Sequence, residues 1–167
     1  MRLFRVFSRK HRATAFSGEG ARLGGRWNSP GVTVVYASSS FALALLELMA
    51  NARRGRVPPG MLYCTVDVPD DVRVDEIAES ALPPRWFRSP APPDLQAIGD
   101  AWVRRGEAVA LLVPSAIARI EKNAVLNPHH ASFARLAIGE FRDLPVDERL
   151  HKRQIRAGFA GRHSRGS

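Results

Sequence analysis

Residues 32–38, VTVVYAS, are rich in β-branched and aromatic side chains, with Val32, Val34 and Tyr36 at every second position on one face. That period of two predicts a strand. The stretch that follows changes period. One of Ser38, Ser39 or Ser40 is placed to cap a helix over FALALLELMANARR, which Gly55 ends with Arg53 and Arg54 in its last turn. RLFRVF reads as a short first strand, MLYCTVDVP as a firm strand closed by Pro69, and DVRVDEI as another short one. EAVALLVP is an apolar run that predicts a central strand. SAIARIEKNAVLNP reads as a short turn or extended segment, and FARLAIGEFRDLPV as at least one closing strand. A second helix is expected over LQAIGDAWVRR, capped by Asp94 and stopped by Gly106, with Leu95, Ile98 and Trp102 on one face. Five prolines within residues 83–93, PPRWFRSPAPP, exclude regular structure there and leave a loop able to cover a site. The pattern is α+β in one domain, a mixed β-sheet core with flanking helices, more strand than helix and no internal repeat.

Length and composition agree with a single domain. A chain of 167 residues, 45% hydrophobic and 25% charged, suits one globular core. No apolar run approaches the roughly 18 residues of a membrane span. MRLFRVFSRKHR has no uninterrupted apolar stretch of the kind a signal peptide needs, so the expected location is cytoplasmic. Cys64 is the one cysteine, which excludes an intramolecular disulfide and a cysteine metal cluster. A net charge of +9 points towards nucleic acid, but its distribution weakens that reading. Lys152, Arg153, Arg156, Arg162 and Arg165 all lie beyond residue 151, where there is no acid. The expected organisation is a domain over 1–151 and a basic, flexible tail over 152–167.

Chemistry concentrates in a few places. GEGARLGG, residues 18–25, is not a dinucleotide fingerprint, because a strand follows the glycines where a helix should open. Gly24 and Gly25 still let backbone approach a ligand beside Arg26. Glu47 is the one charged residue between Phe41 and Met49, in a helix otherwise apolar on every face. Such a helix is expected to be buried all round. A carboxylate there costs several kcal/mol unless it is paired or opens into a polar cleft. It is therefore either half of a structural ion pair or a catalytic group. Arg26 can hold a phosphate in a bidentate pair or can pair with Glu47. Ser115, at the end of a strand, lacks a GxSxG setting and by itself reads as a cap or turn residue. His129 and His130 in NPHH point apart on an extended chain, without the spacing of a zinc site, so no metal is expected.

Taken together, GGRWNSPGVTVVYASSSFALALLEL, LLVPSA and NPHHASF resemble the RES-domain toxins of bacterial toxin–antitoxin pairs, over about residues 4–150. The Arg, Glu and Ser that name the family fall on Arg26, Glu47 and Ser115. Tyr36 matches its strand tyrosine, Asn127 the Asn of its NPxHP stretch, and VDERL, residues 146–150, its closing DxRL. Ala131 and Ser132 stand where the family more often has Pro and Asp, a departure that bears on His130. The resemblance implies a fold similar to ADP-ribosyltransferase toxins, with NAD as substrate and no metal. It implies cleavage of the nicotinamide–ribose bond, with water, phosphate or a protein side chain as acceptor. It also implies an antitoxin partner with an Xre-like helix-turn-helix domain that blocks the site, so that nucleic acid is met only through the antitoxin. On that basis Arg26, Glu47 and Ser115 are the catalytic candidates. Arg26, Trp27, Asn28, Tyr36, Ser115 and Asn127 are the NAD-binding candidates, with Arg26 on the pyrophosphate, Tyr36 against nicotinamide and Ser115 on a ribose hydroxyl or the carboxamide. The competing reading is a basic nucleic-acid binder or ribonuclease-type toxin, for which no RNP, KH or helix-turn-helix pattern is found.

Overall fold

The computed structural model describes residues 1–52, 55–147 and 150. Its strands are β1 (Arg2–Ser8), β2 (Val35–Ser38), β3 (Met61–Asp67), β4 (Val74–Glu76), β5 (Ala110–Pro114), β6 (Lys122–Leu126), β7 (Ala137–Ile138) and β8 (Arg142–Asp143). Two α-helices accompany them, α1 (Phe41–Asn51) and α2 (Pro93–Arg105). The strands form one mixed sheet in the order β4-β5-β6-β2-β1-β3-β7, with β8 also on β3. Only the β4–β5 pair is parallel among the described residues. The α+β expectation holds.

Side-chain alternation sorts the sheet into two faces. Val35 and Ala37 of β2, Ala110 of β5, and Ala124 and Leu126 of β6 bury with Leu3 and Val66 on one side. Val34, Leu111, Val113 and Val125 turn to the other side, where Trp27, Trp86, Leu95 and Trp102 cover them. On that second face the same alternation carries polar residues towards one end: Tyr36 then Ser38 on β2, Asn123 below Val125 on β6, and Ser115 just past Val113 on β5.

Several local expectations are corrected. β5 is the second strand from the β4 edge rather than central. Its apolar run reflects cover on both faces, since Ala110, Leu111 and Val113 are all buried. Ser40 is the residue that caps α1, its Oγ accepting from Leu43 N at 3.1 Å. The helix ends at Asn51, before Gly55, and Arg53 and Arg54 lie outside the described residues. It is not buried all round. Leu43 and Ala44 face inward, whereas Ala42, Leu46 and Ala50 are exposed, because α1 packs against β1 and β2 on one side only. α2 starts at Pro93 rather than after Asp94, the proline taking a first-turn position where its missing N–H costs nothing. Gly106 stops it in the left-handed conformation, φ 60°. The expected tail, 152–167, lies outside the described residues.

Candidate active site

A cleft of about 660 Å³ opens where β1, β2 and β6 meet α1, roofed by the 25–27 segment and by Phe87, Ser89 and Ala91 of the proline-rich loop. The proline-rich loop expected to cover a site thus contributes to the wall of this cleft. Glu47, on the second turn of α1, lines this cleft. Its Oε1 accepts from Ser115 Oγ at 2.9 Å and from Asn123 Nδ2 at 2.5 Å. Among the described residues no hydrogen bond reaches Oε2, and no cation lies within ion-pair distance of the carboxylate. The carboxylate is thus oriented by neutral donors and keeps its charge uncompensated by a direct partner.

Arg26 does not pair with Glu47. Its guanidinium donates to Trp86 O at 2.7 Å and to Arg88 O at 3.1 Å, lashing the proline-rich loop to the wall of the cleft. Burial lowers its pKa, and the charge of Glu47 pulls the other way, so the two sense each other without touching. Arg26 nonetheless lines the cleft.

Tyr36 also lines it. The Tyr36 hydroxyl donates to Asn28 Oδ1 at 2.7 Å and accepts from Trp27 N at 3.0 Å. Burial pushes its pKa up to about 12, so at neutral pH it is a fixed donor. Gly25 serves this contact: a Cβ there would stand 2.7 Å from the Tyr36 hydroxyl and 2.9 Å from Asn28 Oδ1. Its first use is to let tyrosine and asparagine pack beneath the loop. α2 supports the same segment from behind. Gln96 Nε2 donates to Gly25 O at 2.9 Å, and Asp100 Oδ1 accepts from Ser29 N at 3.0 Å.

Three expected binding residues sit elsewhere. Asn28 is wholly buried; its Nδ2 donates to Ala21 O and Val32 O, both at 2.7 Å, so it staples the loop and does not line the cleft. Ser115 is fully buried behind Glu47. Beyond the bond it donates to Glu47, its Oγ accepts from Ile117 N and Ala118 N, each at 3.1 Å. One donor and two acceptor sites are all a hydroxyl has, so none remains for a ribose or carboxamide. Asn127 forms a turn, its Oδ1 accepting from His129 N at 3.0 Å. It lies four residues along the chain from Asn123, roughly 13 Å at strand rise, and outside the cleft. Trp27 touches the cleft, but its ring is core, with 2% exposure. His129 bonds Thr33, and His130 Nδ1 accepts from Ser132 N; neither faces the cleft.

The sequence reading missed Arg5, Ser38 and Asn123. Arg5 lines the cleft from β1, with its guanidinium against the rings of Phe7 and Phe16 and one N–H on Tyr36 O. Its Nε is buried without an acceptor, and among the described residues no carboxylate pairs with it. Burial pulls its pKa down to about 10. A cation set between Phe4 and Val6 in mid-strand was the available signal. Asn123 carried none, since an asparagine two residues past a glutamate has no pattern of its own.

Residues 2–147 match the family model of the RES domain. The chain belongs to the RES family. Among its relatives, the Prs ADP-ribosylating toxin of Sphingobium sp. (strain YBL2) is 36% identical over 146 residues, covering 86% of this chain and 91% of that protein. Toxin Res of Yersinia enterocolitica is 32% identical over 134 residues, 80% and 88% of the two chains. A chain from the crystal structure of the M. tuberculosis MbcT–MbcA toxin–antitoxin complex superposes with a TM-score of 0.70 at 23% identity, covering 86% of this chain and 83% of its own. The RES domain here therefore has a fold seen in a toxin–antitoxin complex. No helix among its described residues is long and apolar enough to cross a membrane.

Proposed function

We propose that this RES protein is the toxin of a toxin–antitoxin pair and that it breaks the nicotinamide–ribose bond of NAD. The observation that carries the reading is Glu47: a carboxylate at the cleft, held through one oxygen by two neutral donors and free of a direct cation. When the bond between ribose C1′ and the nicotinamide nitrogen breaks, its electron pair leaves with that nitrogen, which becomes neutral. Positive charge then develops on the ribose, as in glycoside cleavage generally. A preorganised negative group beside it stabilises the transition state more than the ground state. An acceptor lone pair closes on C1′ and the acceptor gives up its proton. Water yields ADP-ribose, phosphate the 1″-phosphorylated product, and a protein side chain an ADP-ribosylated target.

The remaining roles follow from what each group has free. Arg5 and Arg26 both line the cleft and are the candidates for the pyrophosphate; Arg26 gives two of its five N–H groups to loop carbonyls and Arg5 gives one to Tyr36 O. Tyr36 and Phe87 supply ring surface for nicotinamide or adenine. Ser115 acts through Glu47. The relatives' names and the neighbour's complex support an antitoxin partner, with an Xre-like type that covers the cleft as the expectation. The acceptor is decided by incubating purified, antitoxin-free protein with NAD, with and without phosphate and with cell lysate. Release of nicotinamide in any arm supports the reading, and the second product identifies the acceptor. NAD left intact in all arms, with no modified protein, rejects it.

A further inference from the structure

We propose that Asn123 positions Glu47 alongside Ser115, with Ser38 bracing the far end of its amide; this rests on the reading of Glu47 as the catalytic carboxylate. Ser38 and Asn123 are direct cross-strand partners on β2 and β6. Their side chains project to the face that carries Tyr36 and Val125, beneath the second turn of α1. The Ser38 hydroxyl donates to Asn123 Oδ1 at 2.7 Å, which leaves Nδ2 to point at Glu47 Oε1. Reversing the amide would set Nδ2 against the hydroxyl and turn Oδ1 towards the carboxylate, an arrangement with no hydrogen on the second contact. The carboxylate on the helix, which can only accept, thus fixes which end of the amide meets it, and the Ser38 hydroxyl, which can donate or accept, holds the other end.

Residue chemistry explains why an asparagine suits this position. An aspartate would set a second negative charge against Glu47. A lysine or arginine would neutralise it. The amide orients without changing net charge, so the field available to a ribosyl cation is preserved. Ser115 holds the same oxygen from the β5 side, and Glu121 Oε2 accepts from the α1 cap Ser40 at 2.6 Å. The β5–β6 connection thus grips α1 at its cap and at Glu47, and the second grip, on Oε1, leaves Oε2 of Glu47 for substrate.

The test is a kinetic cycle with a spectroscopic arm. Asn123→Ala and Asn123→Asp should lower kcat by roughly 10- to 100-fold with KM within about threefold. Ser38→Ala should have a smaller effect in the same direction. In a Glu47→Gln background, Asn123→Ala should cost less than about twofold more, because its influence passes through the carboxylate. Multiplicative losses in the double variant, or a rise in KM with kcat unchanged, would mean that Asn123 contacts substrate instead and would overturn the proposal. Full turnover in folded Asn123→Ala would do the same. The second arm follows the Asn123 side-chain amide by NMR, identified by its disappearance in Asn123→Asp. Its resonance should move when Glu47→Gln removes the charged acceptor, and an unmoved resonance overturns the contact whether or not the protein turns over NAD. Wild-type protein that leaves NAD intact would reject the functional reading alone, with this arm still deciding the positioning contact.

Discussion

At the scale of single residues, Glu47 separates catalysis from structure. Its two donors can be accepted equally by a glutamine oxygen, so Glu47→Gln removes charge and little else. Turnover should fall roughly 10²–10³-fold, with NAD affinity nearly unchanged. Tm should stay within about 3 °C, because no direct ion pair is lost. A destabilised variant with near-normal turnover, measured on the same sample, would remove the catalytic role. Tyr36 makes a second prediction with a defined sign. Its hydroxyl ionises near 10 in an unfolded chain and near 12 here, because burial disfavours the phenolate. The folded protein therefore holds this proton longer than the unfolded one. Its stabilising effect is complete below about pH 10 and fades as pH rises towards 12. Tyr36→Phe leaves Trp27 N and Asn28 Oδ1 without the hydroxyl and should cost about 1–3 kcal/mol at neutral pH. In urea melts that gap should narrow above about pH 10. Cys64, whose thiol burial raises to about 11, titrates in both proteins and cancels in the difference. A gap that widens with pH would contradict the assignment.

At the scale of elements, the site depends on how α2 seats the 25–29 segment. Gly99 is the closest approach: a Cβ there would lie 1.8 Å from Trp27 O, which no rotamer can relieve because the obstacle is backbone. Gly99→Ala must push α2 away, straining the Gln96–Gly25 and Asp100–Ser29 bonds with it. A loss of about 3 kcal/mol or more in chemical denaturation is expected, at the upper end of overpacking effects. Ala97→Gly, on the exposed side of the same helix, should cost only about 1 kcal/mol from helix propensity. Equal effects from the two would show that α2 does not register the loop. The element reading from sequence was strongest here in outline: Leu95 and Trp102 are buried on the expected face, and Gly106 stops the helix. It could not show that the small residue between them was needed against another segment's backbone.

At the scale of the whole molecule, the residues that line the cleft all lie at or before Asn123, and the RES match ends at residue 147. Deleting residues 152–167 should therefore leave NAD turnover within about threefold of the full chain. A tenfold loss, about 1.4 kcal/mol of transition-state stabilisation, would show that the tail contributes to the site. The deletion removes five cations, so any nonspecific attraction to DNA should weaken and lose part of its salt dependence. Retained, strongly salt-dependent DNA binding would place a nucleic-acid surface on the domain itself.

The period of two along VTVVYAS, the Ser-capped apolar run after it and the glycine stop at 106 were local properties, written in residues a few positions apart. They determined where most elements lie and marked Glu47 as a charge in the wrong company. Motif resemblance singled out Arg26, Tyr36, Glu47 and Ser115. Which atom each of these meets was decided only by the fold. Glu47 reaches Ser115 and Asn123 across 68 and 76 residues of sequence, and Ser38 reaches Asn123 across 85. Those distances close because β6 lies between β5 and β2, an order set by how the sheet assembles. Period-two patterning tells which face a side chain takes but not which strand stands next to it. For that reason Arg26 turned to the loop carbonyls, Asn127 to its own turn and Ser115 to the back of Glu47, while Arg5 and Asn123 came forward to the cleft.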